Sequence, residues 1–288
     1  MSTAGGTQAL ARPAQGLARF LDPRWMITAL ITVILVVGEV RFSILGDLRR
    51  LVVALAVCMG AELALSWARD GRARSVQSAY ISGVSLTLLT KPLAGALWPF
   101  VLGGLLAIGS KYALTWRGRH LWNPTNFAIA VLILAAPNSL TILSHEFGND
   151  LRVNAIIWCL GLVIVWRANV LHVTATYAVS FLAFAALRGL LTDTPFLVEA
   201  TPITGPMYQL FVFFMVTDPA TTVSTRRGRI AVAVSIAAME TLLRLGNDWG
   251  LAIAQPFAPA PAIFALAMVG PLAKLIDVER RARAAAPR

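Results

Sequence analysis

Apolar residues recur in long runs along the whole chain, and short polar stretches separate these runs. A membrane-spanning helix needs about 20 predominantly apolar residues. The pattern therefore predicts an all-α, polytopic membrane protein with about ten transmembrane helices. These helices are expected at Met26–Val40, Leu51–Trp67, Ala79–Thr90, Ala94–Leu114, Phe127–Leu143, Ala155–Trp166, Val170–Leu191, Tyr208–Thr217, Ile230–Leu243 and Pro261–Ile276.

The third and eighth apolar segments are too short to span a membrane. Each stops at a threonine, one charged residue and a proline, as Thr90-Lys91-Pro92 and Thr217-Asp218-Pro219. Each is also third in its set of five, and five helices per half give the halves opposite orientations. Short, proline-interrupted segments at matching positions predict two inverted repeats, about residues 26–145 and 152–276, around a central binding site. The alternative is two ordinary helices that end at Thr and Pro, residues common at helix ends.

The composition leaves no room for a separate soluble domain. The chain is 57% apolar and 14% charged, with mean hydropathy +0.70. Soluble domains average about 45–50% apolar and about 25% charged residues. We therefore expect one transmembrane domain over residues 26–276, a cytoplasmic N-terminal tail over residues 1–25 and a cytoplasmic C-terminal tail over residues 277–288.

The distribution of charge predicts the orientation. The net charge is +11, from 25 basic and 14 acidic residues. With the ten predicted helices, 17 basic residues fall on the side of the N-terminus and 7 on the other side. Basic residues favour the cytoplasmic side, so both termini are expected there, in a bacterial inner membrane surrounded by lipid. The basic residues form no contiguous stripe, which excludes a nucleic-acid partner.

A first polar cluster precedes the fifth predicted helix. Asn123 is a favourable N-cap and Pro124 a favourable first helical residue. Arg119 comes just before them, and Thr125 and Asn126 lie on the first turn. These amide, hydroxyl and cationic groups suit a polar ring system or an anionic group. A simple capped helix beside a basic loop would explain the Asn, Pro and Arg, but it explains the Thr125–Asn126 pair less well.

A second polar cluster follows the eighth segment. Thr217 and Asp218 end that segment, and Thr221 and Thr222 begin a run of hydroxyl residues that precedes three arginines. By the predicted topology this loop is also cytoplasmic, so the two clusters are placed to meet. A hydroxyl-rich connector without a binding role is the alternative.

Two ionisable residues lie deep within apolar runs. Glu62 and Lys111 would be costly to bury in a membrane, so each is a functional candidate, and they are placed to pair across helices two and four. Cys58 and Cys159 are isolated and form no CxxC pair, so no metal site is expected. No HExxH, GxSxG or GxxxxGK[ST] motif occurs in the sequence, which argues against a hydrolase or an ATPase.

The two clusters resemble a family of integral membrane subunits shared by the sodium-pumping NADH:quinone oxidoreductase and the Rnf electron-transport complex. Residues Gly118–Pro124 are similar to that family's G-[KR]-x-x-F-N-P stretch. Residues Phe213–Pro219, with the sequence FFMVTDP, are similar to F-F-M-A-T-D-P, and Thr225–Arg229 follow them. The resemblance covers about residues 20–280.

The resemblance implies a ten-helix inverted-repeat fold and flavin-mediated electron transfer. Members of the family carry a flavin mononucleotide on a threonine of an S-x-A-T motif and hold riboflavin without a covalent bond. The motif is absent here, since the nearest string, which ends at Thr201, lacks the serine. A covalent flavin is therefore not expected, and the chain is more similar to a short branch of the family found beside enediyne biosynthetic genes.

The resemblance therefore implies a flavin-binding electron-transfer protein that holds riboflavin or FMN without a covalent bond. It would exchange electrons with a redox protein partner or complex subunits, and with quinone as a further candidate. The cofactor-binding candidates are Arg119, Asn123, Thr125, Asn126, Thr217, Asp218, Thr221, Thr222 and Lys111. Arg119 or Lys111 would stabilise a reduced, anionic flavin. The alternative is a transporter or channel for a small polar solute, since broken helices in inverted repeats also build transport sites.

Overall fold

A computed structural model describes residues 23–142, 151–218 and 220–285. Most of the predicted N-terminal tail, the link at residues 143–150, Pro219 and residues 286–288 lie outside the described part. The described residues form eleven α-helices: α1 (Pro23–Phe42), α2 (Arg49–Asp70), α3 (Gln77–Leu89), α4 (Trp98–Ala113), α5 (Pro124–Ala135), α6 (Leu151–Arg167), α7 (Leu171–Thr192), α8 (Phe196–Ala200), α9 (Pro206–Leu210), α10 (Arg226–Asp248) and α11 (Pro261–Ala285).

The all-α prediction is confirmed, and each of the ten predicted segments contains a helix. The eighth segment is α9 prolonged by a π-helical turn over Phe211–Met215. Helix α8 was not predicted, because its five residues are too few to show a period. The last helix was predicted to end at Ile276, but α11 continues to Ala285.

The prediction that the fifth helix reaches Leu143 is wrong. Helix α5 ends at Ala135, because Pro137 lacks an amide proton and disfavours helical dihedrals at Ala136. The chain then forms a short strand that pairs antiparallel with the residues after α3. The short strands are β1 (Thr90–Pro92), β2 (Thr115–Trp116), β3 (Arg119–His120) and β4 (Leu140–Ile142), with pairs β1–β4 and β2–β3.

The helices pack in two sets that meet along two contacts. In the first set α2 packs against α3 and α4, α4 against α5, and α1 against α3. In the second set α10 packs against α7 and α11, and α9 against α6. The sets meet where α1 contacts α6 and where α5 contacts α11. One large hydrophobic cluster runs through both sets and holds the ends of α3, α5 and α9 together.

The outer surface is typical of a membrane protein. Among the described helices, α2, α7, α10 and α11 are long and apolar enough to cross a membrane, and α5, α6 and the α9 segment are shorter apolar helices. Large apolar side chains stand exposed on the helices, including Leu190 at 84%. Trp67 and Trp166 are each 69% exposed near the ends of α2 and α6, and tryptophan is enriched at the edges of a bilayer.

Candidate functional site

The start of α5 is built as the sequence predicts. Asn123 adopts extended dihedrals, and its Oδ1 accepts from the backbone N–H of Asn126 at 3.1 Å. Pro124 follows as the first helical residue, where its missing amide proton costs nothing. Thr125 and Asn126 on the first turn are both buried. The predicted N-cap is confirmed, and it fixes the position of the Asn123 side chain.

A tight hairpin leads into this cap. Strands β2 and β3 are joined by two residues with positive φ, Arg117 at 47° and Gly118 at 73°. Two left-handed residues in a two-residue loop make a type I′ turn, which matches the twist of paired strands. The hairpin places Arg119 on an exposed position of β3 and His120 beside the cap.

The second cluster forms a turn around one carboxylate. After the π-helical turn, the Thr217 hydroxyl donates back to the Phe213 carbonyl oxygen, and the chain leaves the helix. Asp218 Oδ1 accepts from the Ala220 backbone N–H at 3.0 Å, and its Oδ2 accepts from the Thr221 hydroxyl at 2.9 Å. The Asp218 side chain therefore holds the loop that follows, as a short Asx-type turn.

The two turns meet directly. Asn123 Nδ2 donates to Asp218 Oδ2 at 3.0 Å, which joins residues 95 positions apart in the sequence. The predicted convergence of the two clusters is confirmed. The Asn123 amide thus caps α5 with its oxygen and binds the second turn with its nitrogen.

Helix α11 closes the third side of the site, which the sequence did not predict. Asn126 Nδ2 donates to the Ile263 carbonyl oxygen at 3.1 Å, and Trp122 Nε1 donates to the Ala267 carbonyl oxygen at 2.9 Å. Lys274 is buried, and its ammonium donates to the Thr222 carbonyl oxygen at 2.6 Å. From the sequence, Lys274 counted only as a cytoplasmic cation. The one feature of the sequence that could have indicated its role is that Lys274 follows Pro271 by about one turn within the same helix.

A narrow cleft remains between the two turns and α11. Its enclosed space is ≈ 20 Å³, and Asn123, Asn126, Thr221 and Thr222 line it. One water needs about 10–15 Å³ by this measure, so the cleft admits about one water or the polar edge of a ring. The Asn126 Oδ1 is buried and has no hydrogen-bond partner among the described residues. An unsatisfied buried acceptor costs about 1–3 kcal/mol, so this oxygen marks a place for a donor.

The remaining candidates lie apart from the cleft lining or are already engaged. Arg119 is exposed on the hairpin, and the Thr217 hydroxyl is bound within its own helix. Lys111 lies near the end of α4, where its ammonium binds Glu62 Oε2 at 2.5 Å. The predicted pairing of Glu62 with Lys111 is confirmed, and Tyr112 donates to the other Glu62 oxygen at 2.8 Å.

A second, larger cavity of ≈ 130 Å³ lies beside His120. It is lined by the Glu62–Lys111 pair together with Arg69, Arg74 and Tyr112. Burial, followed by the nearby Lys111 ammonium, lowers the pKa of the His120 imidazole below its usual value. The ring is therefore neutral at pH 7, and its buried Nδ1 has no partner among the described residues.

Similarity to known proteins gives no identity for this chain. Comparison with protein-family models and with curated proteins finds no match. The resemblance carried by the Asn123 and Asp218 motifs therefore stays a prediction.

Proposed function

We propose that this protein is a flavin-binding membrane electron-transfer subunit, which relays electrons to or from a redox partner through a non-covalent riboflavin or FMN. The observation that carries the proposal is the contact between the Asn123 and Asp218 turns beside an unsatisfied, buried Asn126 Oδ1. Both turns belong to the motifs that resemble flavin-binding membrane proteins, and here they form one site.

The polar groups of the cleft suit the edge of an isoalloxazine ring. That edge alternates carbonyl acceptors with one N–H donor, and the Asn126 Oδ1 is an acceptor without a donor. The Thr221 hydroxyl and the Asn123 amide are further hydrogen-bonding groups in the lining of the cleft. A whole tricyclic ring exceeds the ≈ 20 Å³ of the cleft, so binding of the whole ring requires the cleft to widen. The bound flavin would supply the redox chemistry, and the protein would orient it and exclude water.

Ten membrane spans in two inverted repeats are part of the same proposal. The pairs α1–α3, α2–α4 and α4–α5 in the first set match α6–α9, α7–α10 and α10–α11 in the second. The contacts α1–α6 and α5–α11 join equivalent helices, as a two-fold axis between the halves requires. A polar contact also occurs at matching places, Glu62–Lys111 between α2 and α4, and Tyr177–Glu240 between α7 and α10.

The setting we propose is a bacterial inner membrane, with both termini and both site turns on the cytoplasmic side. The excess of basic residues on that side supports this orientation. A redox protein, complex subunits or a quinone would exchange electrons with the flavin. The matched helix pairs also favour a second candidate, a transporter or channel for a small polar solute.

An absorption spectrum of detergent-purified protein tests the proposal. A flavin absorbs near about 450 nm, and mass spectrometry of the released ligand distinguishes riboflavin from FMN. We expect denaturation to release the chromophore, because the covalent-attachment motif is missing. Flavin that stays with the polypeptide through denaturing electrophoresis would contradict the non-covalent part.

Variants locate the chromophore. Asn123→Ala and Asp218→Ala should lower flavin occupancy without preventing membrane insertion. Each loses a cap or turn contact of about 1 kcal/mol. Arg281→Ala is the control, since the hydrogen bonds and the ion pair of Arg281 within the described part of the chain all go to Asp277, near the exposed end of α11. A colourless protein that moves solute into liposomes would instead establish the transport alternative.

A further inference from the structure

The cavity beside His120 has a surplus of positive charge. Three cations, Arg69, Arg74 and Lys111, line it together with a single carboxylate, Glu62. Both Glu62 oxygens are already occupied, one by the Lys111 ammonium and the other by the Tyr112 hydroxyl. A metal cation entering the cavity would therefore meet no free carboxylate among these lining groups.

Several donors around the cavity are unused. The Arg69 guanidinium stands 5.9 Å from the centre of the Tyr112 ring and makes no hydrogen bond or ion pair within the described part of the chain. Lys111 has three ammonium protons, and the described residues offer one hydrogen-bond acceptor for them, Glu62 Oε2. His120 adds a buried ring nitrogen, Nδ1, that has no partner among the described residues and donates only in the tautomer that carries its proton there. Arg74, by contrast, is engaged with Asp70 at 2.6 Å.

The volume of the cavity beside His120 is large enough for a small oxyanion. The enclosed volume of ≈ 130 Å³ is several times that of the cleft at Asn123. An arginine and a lysine with free donors bind phosphate oxygens through charge-assisted hydrogen bonds. The cavity and the cleft are also neighbours, since His120 lines the first and Leu121, the next residue, lines the second.

We propose that this cavity is a phosphate-binding site, with Arg69 and Lys111 as the residues that hold the phosphate group. Two sources supply this chemistry, free inorganic phosphate and the phosphate end of an FMN whose ring lies at the Asn123 cleft. The FMN source rests on the proposed flavin function, and the inorganic-phosphate source is independent of it.

The first arm measures inorganic phosphate binding to the detergent-purified full chain. We expect phosphate, compared with chloride at equal ionic strength, to raise the unfolding temperature of the wild type. Arg69→Gln should abolish the rise, because it removes one of the two cations that would hold the phosphate. Arg69 is exposed and its contact with a side chain in the described residues is with the Tyr112 ring, so the substitution should leave the fold intact. Arg72→Gln is the matched control, an exposed arginine three residues away that does not line the cavity. An equal rise in all three proteins would overturn the site.

The second arm compares FMN with riboflavin. A charge-assisted hydrogen bond contributes about 1.5–3 kcal/mol, so FMN should bind at least about tenfold more tightly than riboflavin. The ratio should fall to near one in Arg69→Gln and stay unchanged in Arg72→Gln. If phosphate binds and neither flavin does, the site stands with inorganic phosphate as its ligand, and the proposed flavin function fails. If both flavins bind equally and phosphate has no effect, the phosphate site fails and the flavin function stands.

Discussion

At the scale of single residues, the contact between the Asn123 turn and the Asp218 turn requires a side-chain amide at position 123. Its oxygen accepts the N–H of Asn126 at the start of α5, and its nitrogen donates to the Asp218 carboxylate. An aspartate would cap the helix equally well but has no proton to donate at neutral pH. A serine would cap the helix without reaching the carboxylate in the same way. The residue type at 123 is thus set by the partner 95 positions away.

Asn123→Asp tests this interpretation. The substitution keeps the cap but places two carboxylates within hydrogen-bond distance, where both cannot be ionised without cost. We expect a lower unfolding temperature at neutral pH and recovery in acid, where one proton can be shared between residues 123 and 218. Asn123→Ser is the control, with a loss that does not depend on pH. Equal pH profiles for the two variants would contradict the contact.

The lowered pKa of His120 predicts a second pH dependence of the stability of the protein. This pKa is lowered in the folded protein, by burial first and then by Lys111, so the unfolded chain binds this proton more readily. The contribution of the neutral His120 to the free energy of unfolding is therefore fully present above the unfolded-state pKa of about 6.5. It is lost as the pH falls below that value. His120→Gln should remove this part of the acid destabilisation. Unfolding temperatures across about pH 5–8 measure it, and an unchanged slope in the variant would show that His120 is not responsible.

At the scale of elements, local rules set the ends of the helices around the site. Pro92 and Pro137 stop α3 and α5 a few residues before the prolines themselves, and the freed segments pair as β1 and β4. The hairpin β2–β3 needs left-handed dihedrals at Arg117 and Gly118. Glycine adopts them without strain, whereas an L side chain does not. The hairpin in turn places His120 in the lining of the larger cavity.

Gly118→Ala should lower the stability of the protein by about 1 kcal/mol, through backbone strain alone. A β-carbon at Gly118 meets no atom within 4 Å, so steric contact contributes nothing. Gly109→Ala is the matched control, because that position is equally open but lies inside α4. There alanine should stabilise by roughly 0.5–1 kcal/mol. Denaturant midpoints in detergent compare the two, and a loss at both positions would contradict the assignment of strain to the turn.

The Glu62–Lys111 pair joins α2 to α4, with 6% and 9% of the two side chains exposed. Lys111→Met leaves the Glu62 carboxylate buried with only the Tyr112 hydroxyl. Breaking such a pair costs about 3–5 kcal/mol, while replacing both partners costs much less. We therefore expect the double variant Glu62→Gln/Lys111→Met to unfold at a higher temperature than Lys111→Met alone. If the loss of unfolding temperature in the double variant equals the sum of the losses in the two single variants, Glu62 and Lys111 are not coupled.

At the scale of the whole molecule, the two helix sets contact one another where α1 meets α6 and where α5 meets α11. The candidate site lies at the second of these contacts. The α5 turn and the α9 turn come from different sets, and α11 covers both. The candidate site is therefore shared between the two sets.

The topology can be tested by cysteine labelling in sealed vesicles. Arg72→Cys, Arg119→Cys and Arg226→Cys lie on exposed positions, and all three should react only from the cytoplasmic side. In the proposed topology the basic residues concentrate on that side, and basic residues favour the cytoplasm. Arg244 and Lys91 are predicted on the opposite side and serve as the contrast. Labelling of residue 226 from outside alone would overturn the ten-span proposal and the inverted repeats with it.

The sequence by itself determined the helices, the Asn123 cap and the two turns, because each depends on neighbours within a few residues. Apolar runs need only their own composition to become helices, and Asn-Pro sets a helix start without tertiary contacts. The Glu62–Lys111 pair was also predictable, since a charge within an apolar run needs a partner and few were present.

Only the tertiary structure decided how the turns fit together. The Asn123–Asp218 hydrogen bond, the buried Lys274 on the Thr222 carbonyl and the cleft beside them depend on the positions of α5, α9 and α11. The larger cavity depends on the packing of α2 against α4 and the β2–β3 hairpin. No period or spacing in the sequence encodes these distances, because packing of distant side chains sets them. The strand pair β1–β4 was missed for the same reason, since its two strands lie about fifty residues apart and each is too short to show an alternating pattern. Local sequence patterns thus predicted which residues form the site, and long-range packing determined which of them are in contact.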